Sequence, residues 1–423
     1  MTRTSFIPML LLSLMLLPFA AVTEPSIEVG RNLIIAVNGA RLSAEQKALL
    51  EELRPGGVVL LGPNISNAEQ TRKLVHDIKN AVSGKTGVAD YPLIYIDQEG
   101  GRINRLRLNN ARSAAMLGAL GDASQARESG ARFAREALSR GIGVILAPVL
   151  DLCPPEQGGV IGDRSFGASP ELVWRMGQSF ASGIIAGGAL PVVKHFPGHG
   201  AAIEDSHIQL ARLHVSGEEL RTTLEPFRLA AAASIAAIMV GHIACAALDP
   251  ENPNLPATLS HAVVTGLLRE QWGYDGFIIT DDLNMGAISD TLETAVVKSL
   301  RAGCDAAMVC DGNPQRLRRV ARAVSDAART DLEFARHLLQ GQRRLEHFQW
   351  MLAMSAESAH ASDDNSATQQ DEPSTMRQHV VRRGDTLSKL GREYGVSLES
   401  IRRANGMSDD TVRIDEKILI PAE

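Results

Sequence analysis

Cysteine is scarce in this sequence, and positive charge is not in excess. Its four cysteines are Cys153, Cys245, Cys304 and Cys310. None of them forms a CxxC pair, so neither a zinc ribbon nor a disulfide framework is predicted. The formal net charge of −6 excludes a strongly basic protein, and no nucleic-acid partner is expected. The 423 residues, 44% of them apolar, are enough for one large globular domain and a smaller one.

The first 23 residues have the pattern of a secretory signal peptide. Arg3 precedes an apolar run from Phe6 to Phe19, which Ala20 and Ala21 follow. The run is short for a membrane span, but its cleavage site is imperfect, so an uncleaved anchor and a misassigned start codon are alternatives. We expect a periplasmic or secreted protein, or one anchored to the inner membrane if the segment is not cleaved.

Eight short apolar runs recur along residues 28–354, and a helical pattern follows each one. The runs begin at Leu33, Val58, Leu93, Gly143, Pro191, Ala236, Gly276 and Asp305. Runs that are apolar on both faces are typical of buried parallel strands, and the amphipathic segments between them indicate crossover helices. Eight such units predict an α/β fold of the (β/α)8 TIM-barrel type. An open doubly wound sheet is the alternative, but no glycine-rich phosphate-binding motif follows the first run.

Polar side chains come at the C-terminal ends of these predicted strands. They are Asp97, Asp151, Lys194, His195, His242, Asp281 and Asp311. In a barrel these ends converge on one face, where active sites are built. The sequence therefore predicts a functional site on that face.

The C-terminal part of the chain has a different composition. Residues 355–376 are rich in Ser, Ala, Asp, Gln and Pro, which predicts a flexible linker. Residues 377–423 have strand patterns at His379–Arg382 and Lys417–Ile420, and two short helical patterns between them, the second of which ends at Asn405 and Gly406. This order predicts a small βααβ domain.

The segment DQEGGRINR, Asp97 to Arg105, follows the third predicted strand. One carboxylate and two arginines can surround a polyhydroxylated ligand with an acceptor and forked donors. The alternative is a tight loop in which Gly100 and Gly101 adopt positive φ while the arginines neutralise Asp97 and Glu99.

The segment TDDLNM, Thr280 to Met285, ends the seventh predicted strand. One of its carboxylates is a candidate nucleophile, because glycosidases place Asp or Glu against the anomeric carbon. Alternatively, Asp282 caps the following helix. Strand alternation sends Asp281 and Asp282 to opposite faces, so the two should have different roles.

The segment KHFPGHGAAIEDSH, from Lys194 to His207, has three interpretations. An aspartate beside a histidine orients the imidazole for proton transfer near neutral pH, which suits Asp205 and His207. The segment also contains possible metal ligands, namely His195, His199, Asp205 and His207. Their spacing fits no strong ligand motif, and the Lys194 ammonium would compete with a cation. A polar loop without chemistry is the third interpretation.

In chain order, DQEGGR, GDRSFG from Gly162, KHFPGHG, DSH and TDDLNMGA resemble glycoside hydrolase family 3. The resemblance is specifically to its bacterial β-N-acetylhexosaminidases that act on peptidoglycan fragments, and it covers about Gly30 to His347. It implies that Asp281, rather than Asp282, is the nucleophile of a retaining reaction that proceeds through a covalent glycosyl-enzyme. It also implies that His207 is the general acid and base on a mobile loop, with Asp205 as its orienting partner.

The resemblance further implies a subsite for a terminal N-acetylglucosamine. Its residues would be Asp97, Arg105, Arg164, Lys194 and His195. No cofactor or metal is implied. Relatives commonly carry a proline four residues after the D-S-H histidine, where this chain has Ala211, and the well-known relatives are cytoplasmic recycling enzymes without the extra C-terminal module.

That module, residues 377–423, resembles a lysin motif (LysM) domain. Members of that family bind N-acetylglucosamine-containing glycans such as peptidoglycan in a groove between two loops. The resemblance implies that Gly384, Asp385, Thr386 and Met407 contact glycan. Ordinary turn chemistry is the alternative for each of these residues.

The combined interpretation is a monomeric exo-β-N-acetylglucosaminidase that is tethered to peptidoglycan or its fragments through the LysM domain. Two interpretations from other classes stay open, a metal-dependent hydrolase on the same barrel and a non-catalytic adaptor that binds the cell wall. Within the enzyme interpretation, phosphate could replace water as the acceptor, because a histidine does not repel an anion as a second carboxylate would.

Overall fold

The structure, a computed structural model, describes residues 27–83, 91–202, 204–367, 377–382, 384–407 and 409–421. The predicted signal segment, residues 1–23, lies outside the described residues. The chain divides into two compact units, the first ending at Ala359 and the second beginning at His360. None of the helices in the described ranges combines the length and the apolar character that crossing a bilayer requires.

The first unit is built around a closed barrel of parallel strands. In chain order its strands are β1 (Leu33–Ala36), β2 (Gly57–Leu60), β3 (Leu93–Ile96), β4 (Gln98–Gly100), β5 (Ile103–Asn104), β6 (Val144–Ile145), β7 (Leu190–Phe196), β8 (Ala211–Arg212), β9 (Ala237–Val240), β10 (Ile243–Ala244), β11 (Phe277–Asp282) and β12 (Ala306–Val309). Strands β4 and β5 form one small separate sheet, and β8 and β10 form another. The other eight pair with their neighbours in chain order, and β12 closes onto β1.

The predicted (β/α)8 barrel is therefore confirmed, and each of the eight apolar runs contains one barrel strand. Alternate residues of a strand face opposite sides. Inward-facing residues such as Ile34, Val59 and Tyr95 fill the barrel interior, while outward-facing ones such as Ile35 and Val58 pack under the helices. Both faces are covered, which is why these runs are apolar throughout.

Helices surround the barrel. They are α1 (Ala44–Leu53), α2 (Ala68–Ser83), α3 (Ala114–Leu120), α4 (Ala123–Leu138), α5 (Pro170–Ala186), α6 (Gly217–Ala232), a π-helix (Ala262–Gln271), α7 (Leu292–Ala302), α8 (Pro314–Thr330) and α9 (Leu332–Ala367). Most of them begin at side chains that cap free backbone N–H groups. Ser43 caps α1 within a capping box, and Asn313 caps α8.

Helix α9 closes the N-terminal end of the barrel. Leu345 and Phe348 enter the interior cluster, where the Phe348 ring stacks on that of Phe277 with the centroids 5.3 Å apart. The helix continues past the predicted start of the linker at Ser355, whose hydroxyl donates to the carbonyl of Ile185 at 2.9 Å. The linker prediction began too early, because small Ser and Ala side chains let α9 approach the barrel closely. Residues 368–376 of the predicted linker lie outside the described residues.

The second unit has the predicted βααβ order. It contains β13 (Arg377–Val380), α10 (Leu387–Tyr394), α11 (Leu398–Asn405) and β14 (Lys417–Ile420), and β13 pairs antiparallel with β14. Leu387, Leu390 and Ile401 are fully buried and pack against Ile418 and Ile420. The apolar spacing that predicted the first helix therefore corresponds to its buried face.

Candidate active site

A cavity of about 710 Å³ opens at the C-terminal ends of the barrel strands. All eight residues predicted for the catalytic site and its sugar subsite line it: Asp97, Arg105, Arg164, Lys194, His195, Asp205, His207 and Asp281. They come from segments far apart in sequence, and the barrel topology brings them together. Of the seven polar residues predicted at strand ends, Asp97, Lys194, His195 and Asp281 line this cavity, whereas Asp151, His242 and Asp311 are not among its lining residues.

A network of buried ion pairs forms one wall of the cavity. Glu99 receives two parallel hydrogen bonds from Arg164, each 2.8 Å long, and its carboxylate lies 2.7 Å from the Lys194 ammonium. Lys194 also donates to Asp97 at 2.7 Å. The bidentate geometry fixes the guanidinium plane, so the two cations are held in place before any ligand arrives.

The charges of this network stabilise one another. Burial raises the pKa of Glu99, but Lys194 and Arg164 outweigh that effect and hold the pKa well below its usual value. Burial lowers the pKa of Lys194, but Asp97 and Glu99 outweigh it and raise the pKa above its usual value. Glu99, Lys194 and Arg164 are therefore charged at neutral pH.

The alternative interpretation of DQEGGR is wrong about its ion pairs. Arg102 does not neutralise Asp97 or Glu99 but pairs with Asp163 at 3.0 Å. The glycines do adopt positive φ, +93° at Gly100 and +54° at Gly101. A Cβ at Gly100 would lie 2.0 Å from the carbonyl oxygen of Arg112, so this turn needs glycine for space as well as for φ.

Arg105 differs from the other cations of the cavity. Its Nε is buried without a hydrogen-bond partner, and no ion pair joins it to any acid among the described residues. Buried polar groups are normally paired. Arg105 is thus available to a ligand.

A second network holds His195 against Asp151, which is fully buried. The His195 Nδ1–H donates to the Asp151 carboxylate at 2.6 Å, which leaves Nε2 to accept from Arg164 at 3.3 Å. The other Asp151 oxygen accepts the backbone N–H of His199 at 2.6 Å. Asp151 therefore fixes both the tautomer of His195 and the beginning of the following loop.

Asp281 lies at the end of β11. Its carboxylate accepts the backbone N–H of Asp282 at 2.8 Å. Burial raises the pKa of Asp281, but His195, this N–H group and Lys194 outweigh burial and keep the pKa below its usual value. The side chain is therefore ionised at neutral pH, as a nucleophile must be.

Asp282 lines the same cavity as Asp281, although strand alternation predicted opposite faces, but its carboxylate makes different contacts. Its carboxylate accepts the backbone N–H groups of Asn284 at 3.0 Å and Cys310 at 2.8 Å. It does not cap the next helix, because α7 begins after Thr291, whose hydroxyl is the cap.

Asp205 and His207 lie in the loop that follows β7. The Asp205 carboxylate accepts the backbone N–H of His207 at 2.9 Å and lies 2.7 Å from its Nδ1. Burial raises the pKa of Asp205, but the two bonds from His207 outweigh it and the pKa is lowered. The Nδ1–H is thus directed at a carboxylate, and Nε2 is the ring atom left to exchange a proton.

Neighbouring side chains already engage most ring nitrogens of the possible metal ligands. His195 bonds Asp151 and Arg164, and the Nε2 of His199 lies 2.8 Å from the Ser206 hydroxyl. Within the described ranges, no three His, Cys, Asp or Glu side chains are grouped so that they could hold a metal ion.

In the second unit, Gly384, Asp385 and Thr386 lie between β13 and α10, and Met407 follows α11. Asp385 is nearly buried, and its carboxylate accepts from the backbone N–H of Arg382 at 2.8 Å, from Lys389 at 2.9 Å and from His379 at 3.1 Å. Thr386 caps α10. The turn-chemistry alternative therefore accounts for both side chains.

Residues 26–339 match the family model described as the glycosyl hydrolase family 3 N-terminal domain. The chain belongs to glycosyl hydrolase family 3. Residues 379–421 match the LysM domain model. Both predicted resemblances are confirmed, and the family 3 chain is a glycosidase of the β-hexosaminidase type.

Named relatives agree with this assignment. The beta-hexosaminidase of Alkalilimnicola ehrlichii is 35% identical over 308 residues, which cover 70% of this chain and 84% of the relative. That of Tolumonas auensis is 37% identical over 290 residues, which cover 66% of this chain and 82% of the relative.

Solved structures of the family have the same fold. A family 3 beta-N-acetylglucosaminidase from Paenibacillus sp. FPU-7 has a TM-score of 0.71 at 30% identity, covering 88% of this chain and 78% of that one. NagZ from Neisseria gonorrhoeae, solved in complex with N-trifluoroacetyl-D-glucosamine, has a TM-score of 0.62 at 28% identity, covering 78% and 98%.

Sequence reasoning assigned none of Glu99, Asp151, His199 and Ser206 to the catalytic groups or the sugar subsite, although Asp151 was among the polar strand ends and His199 among the possible metal ligands. Glu99 and Asp151 share no local sequence motif with their partners, because Arg164 and His195 lie 65 and 44 residues away along the chain. Asp151 had one usable signal, its position at the end of a predicted strand.

Proposed function

We propose that this protein is a retaining exo-β-N-acetylglucosaminidase that releases terminal β-linked N-acetylglucosamine from peptidoglycan fragments. The observation that carries the proposal is the 2.7 Å contact between Asp205 and the Nδ1 of His207, in the cavity that Asp281 also lines. An ionised carboxylate and a histidine with a free Nε2 supply a nucleophile and a proton donor. The names of the solved relatives support the choice of sugar.

In the first step, Asp281 attacks the anomeric carbon. A bond forms between that carbon and a carboxylate oxygen, and the glycosidic bond breaks. The departing oxygen takes the Nε2 proton of His207, so the aglycone leaves as a neutral alcohol. Asp205 stabilises the imidazole through Nδ1 while the ring changes its charge.

In the second step, water attacks the same carbon from the side that the aglycone left. His207, now neutral, removes the proton of the water through Nε2. The bond between the sugar and Asp281 breaks, and the carboxylate is restored. Two inversions at one carbon give net retention.

The shape of the cavity supports exo action. Leu146, Met239 and Met308 lie at its inner end, and below them the interior cluster fills the barrel down to Phe348 of α9. A glycan cannot pass through a filled barrel. It must present a chain end, whose hydroxyl groups would meet Asp97, Arg105 and the Lys194 network.

The LysM domain supports a polymeric or wall-derived substrate. LysM family members bind N-acetylglucosamine-containing glycans, and a second binding module raises the effective concentration of an enzyme near its substrate. We place the protein in the periplasm or outside the cell, on the signal-like segment, or at the inner membrane if that segment is kept. The monomeric state belongs to the same proposal.

The test is release of 4-nitrophenol from its β-N-acetylglucosaminide by the purified protein, with and without chelator, beside the His207→Ala variant. Turnover that resists chelator is expected. In the variant kcat should fall by about 10²-fold or more, because the second step loses its general base, whereas kcat/KM should change far less, because 4-nitrophenolate leaves with little need of a proton. Product released with β-configuration would establish retention. Loss of wild-type turnover in chelator would favour a metal-dependent hydrolase, and wild-type binding without turnover would favour an adaptor.

A further inference from the structure

Ser206 lies in the chain between the two members of the proposed acid/base pair, and it is buried whereas their side chains are not. Its exposed fraction is 2%, whereas the side chains of Asp205 and His207 are 41% and 60% exposed. One buried residue thus separates two exposed ones. Whatever holds Ser206 also sets where its neighbours project.

His199 is the side-chain partner of Ser206. Its Nε2 lies 2.8 Å from the Ser206 hydroxyl, and the ring is 3% exposed. The backbone N–H of His199 is held by Asp151, which also holds His195. A short chain of hydrogen bonds therefore connects the wall of the cavity to the loop that carries Asp205 and His207, which we term the acid/base loop.

The His199 ring has one hydrogen-bond partner among the described residues and lies edge-to-face with the His195 ring, with the centroids 6.3 Å apart. Its Nδ1 is buried without a hydrogen bond, so Ser206 alone fixes the orientation of the ring through hydrogen bonding. Burial lowers the pKa of His199, so the ring is neutral at pH 7. Water cannot replace either partner of a buried hydrogen bond. Loss of the His199–Ser206 bond would therefore leave a buried polar group unsatisfied, which destabilises this arrangement.

The backbone contacts of the loop are few. Ala287 N–H donates to the Ser206 carbonyl at 3.2 Å, and Gly286 N–H donates to the His207 carbonyl at 3.1 Å. A Cβ on Gly286 would lie 2.4 Å from the carbonyl of Ile208, so this approach requires glycine. These bonds hold the loop over the segment after β11, and Gln157 Nε2 donates to the carbonyl of Gly200 at 3.1 Å nearer the start of the loop.

We propose that His199 and Ser206 are positioning residues that hold the acid/base loop in its catalytic pose. The proposal rests on the proposed function, because it assigns them to the proton transfer of His207. The His199–Ser206 bond, which we term the loop latch, holds the loop at the residue between Asp205 and His207. Without it, His207 would no longer be held within proton-transfer distance of the glycosidic oxygen, while the wall that binds the sugar would be unchanged.

This assignment predicts dependence on the leaving group. 4-Nitrophenolate departs with little need of a proton, whereas a sugar hydroxyl needs one in the transition state. For Ser206→Ala we expect kcat/KM for β-1,4-linked di-N-acetylchitobiose to fall by about 10–100-fold, the size of effect that a misplacement of about 1 Å produces. For 4-nitrophenyl β-N-acetylglucosaminide we expect a fall of less than about 3-fold.

The structure offers a matched control. His242 and Thr258 form another buried histidine–hydroxyl pair with the same separation, 2.8 Å, but Thr258 is not in the loop. Thr258→Val also removes a hydroxyl from a buried imidazole, so any loss it causes should be equal for the two substrates. Thermal melts of both variants would show that each is folded at the assay temperature.

His207→Ala and His199→Gln complete the experiment. Selective loss on the disaccharide in His207→Ala, Ser206→Ala and His199→Gln is the expected result. Selective loss in His207→Ala with equal losses on both substrates in Ser206→Ala would overturn the loop latch alone. Equal losses in His207→Ala would overturn the acid/base assignment, and the loop latch with it.

Discussion

Two sides of the cavity make similar contacts but differ greatly in burial. One is the wall formed by the ion pairs of Glu99, and the other is the loop that carries Asp205 and His207. On the wall, Glu99 and Arg164 are bonded at 2.8 Å with side chains 5% and 11% exposed. On the loop, Asp205 and His207 are 2.7 Å apart and about half exposed. Coulomb interactions are much weaker near water than in the interior. The wall can therefore hold its geometry through charge, whereas the loop depends on individual hydrogen bonds.

The difference matches the work proposed for each side. Binding one sugar ring in one orientation requires donors and acceptors that are already in place. Proton transfer requires an imidazole that can bind and release a proton. The predictions below separate these two demands.

The largest effect is expected from Asp281→Ala, which removes the proposed nucleophile but leaves both sides intact. Turnover should fall by more than about 10³-fold, because no other described carboxylate takes its place. Binding of N-acetylglucosamine, measured by calorimetry, should persist. Added azide should restore some turnover and give the α-glycosyl azide, and turnover near that of the wild type would contradict the assignment.

Glu99→Gln tests the wall. Arg164 and Lys194 would lose a buried counter-ion, so we expect the free energy of unfolding to fall by about 3 kcal/mol and KM to rise by about 10-fold or more. Urea unfolding and steady-state kinetics measure the two effects.

Glu225→Gln is the control for depth. Glu225 and Arg228 form the same bidentate pair, at 2.7 Å and 2.7 Å, but their side chains are 34% and 48% exposed. We expect the free energy of unfolding to fall by less than about 1 kcal/mol and KM to stay the same. Equal effects of Glu99→Gln and Glu225→Gln would show that burial does not make the ion pairs of the wall contribute more than exposed ones.

Asp385→Asn tests the LysM domain in the full chain. The carboxylate holds the turn before α10, and its hydrogen bonds with Arg382, Lys389 and His379 lower its pKa strongly. Retention on insoluble peptidoglycan should weaken by roughly 10-fold if the turn forms the glycan groove, while turnover of the soluble nitrophenyl substrate stays the same. Reduced turnover on the soluble substrate would contradict independent roles for the two domains.

The smallest expected effect is on the pH dependence of the stability of the fold. Burial lowers the pKa of His242 from its usual value of 6.5, so the unfolded chain binds the proton more tightly. The contribution of His242 to stability is therefore complete above about pH 6.5 and decreases as the pH falls, by up to about 1.4 kcal/mol at pH 5.5. The fall in Tm between pH 7.5 and pH 5.5 should be about 2 °C smaller in His242→Gln, and an unchanged fall would count against this account.

The barrel could be predicted from sequence because each strand is buried on both faces. Runs such as those at Leu33 and Val58 have no polar face, and that pattern is local. The positions of Lys194, His195 and Asp281 followed from the strands that they end. Motif resemblance supplied their roles, which the individual loops had left open.

The electrostatic network could not be predicted, because its pairs are set by the closure of the barrel. The arginines of its own loop, Arg102 and Arg105, are the expected partners of Glu99 in the sequence, and only the fold selects Arg164. The end of α9 was misjudged for a related reason. Ser355 begins a stretch with the composition of a linker, but in the fold its hydroxyl donates to the carbonyl of Ile185.

The closed floor of the barrel also has a kinetic consequence. Leu146, Met239 and Met308 line the cavity and also belong to the interior cluster that fills the barrel, so in the proposed reaction the cleaved sugar would lie deeper than the aglycone. Departure would then be ordered, with the aglycone first and the monosaccharide second. Free N-acetylglucosamine should then compete directly with the substrate, and an added alcohol should be able to intercept the glycosyl-enzyme before water does.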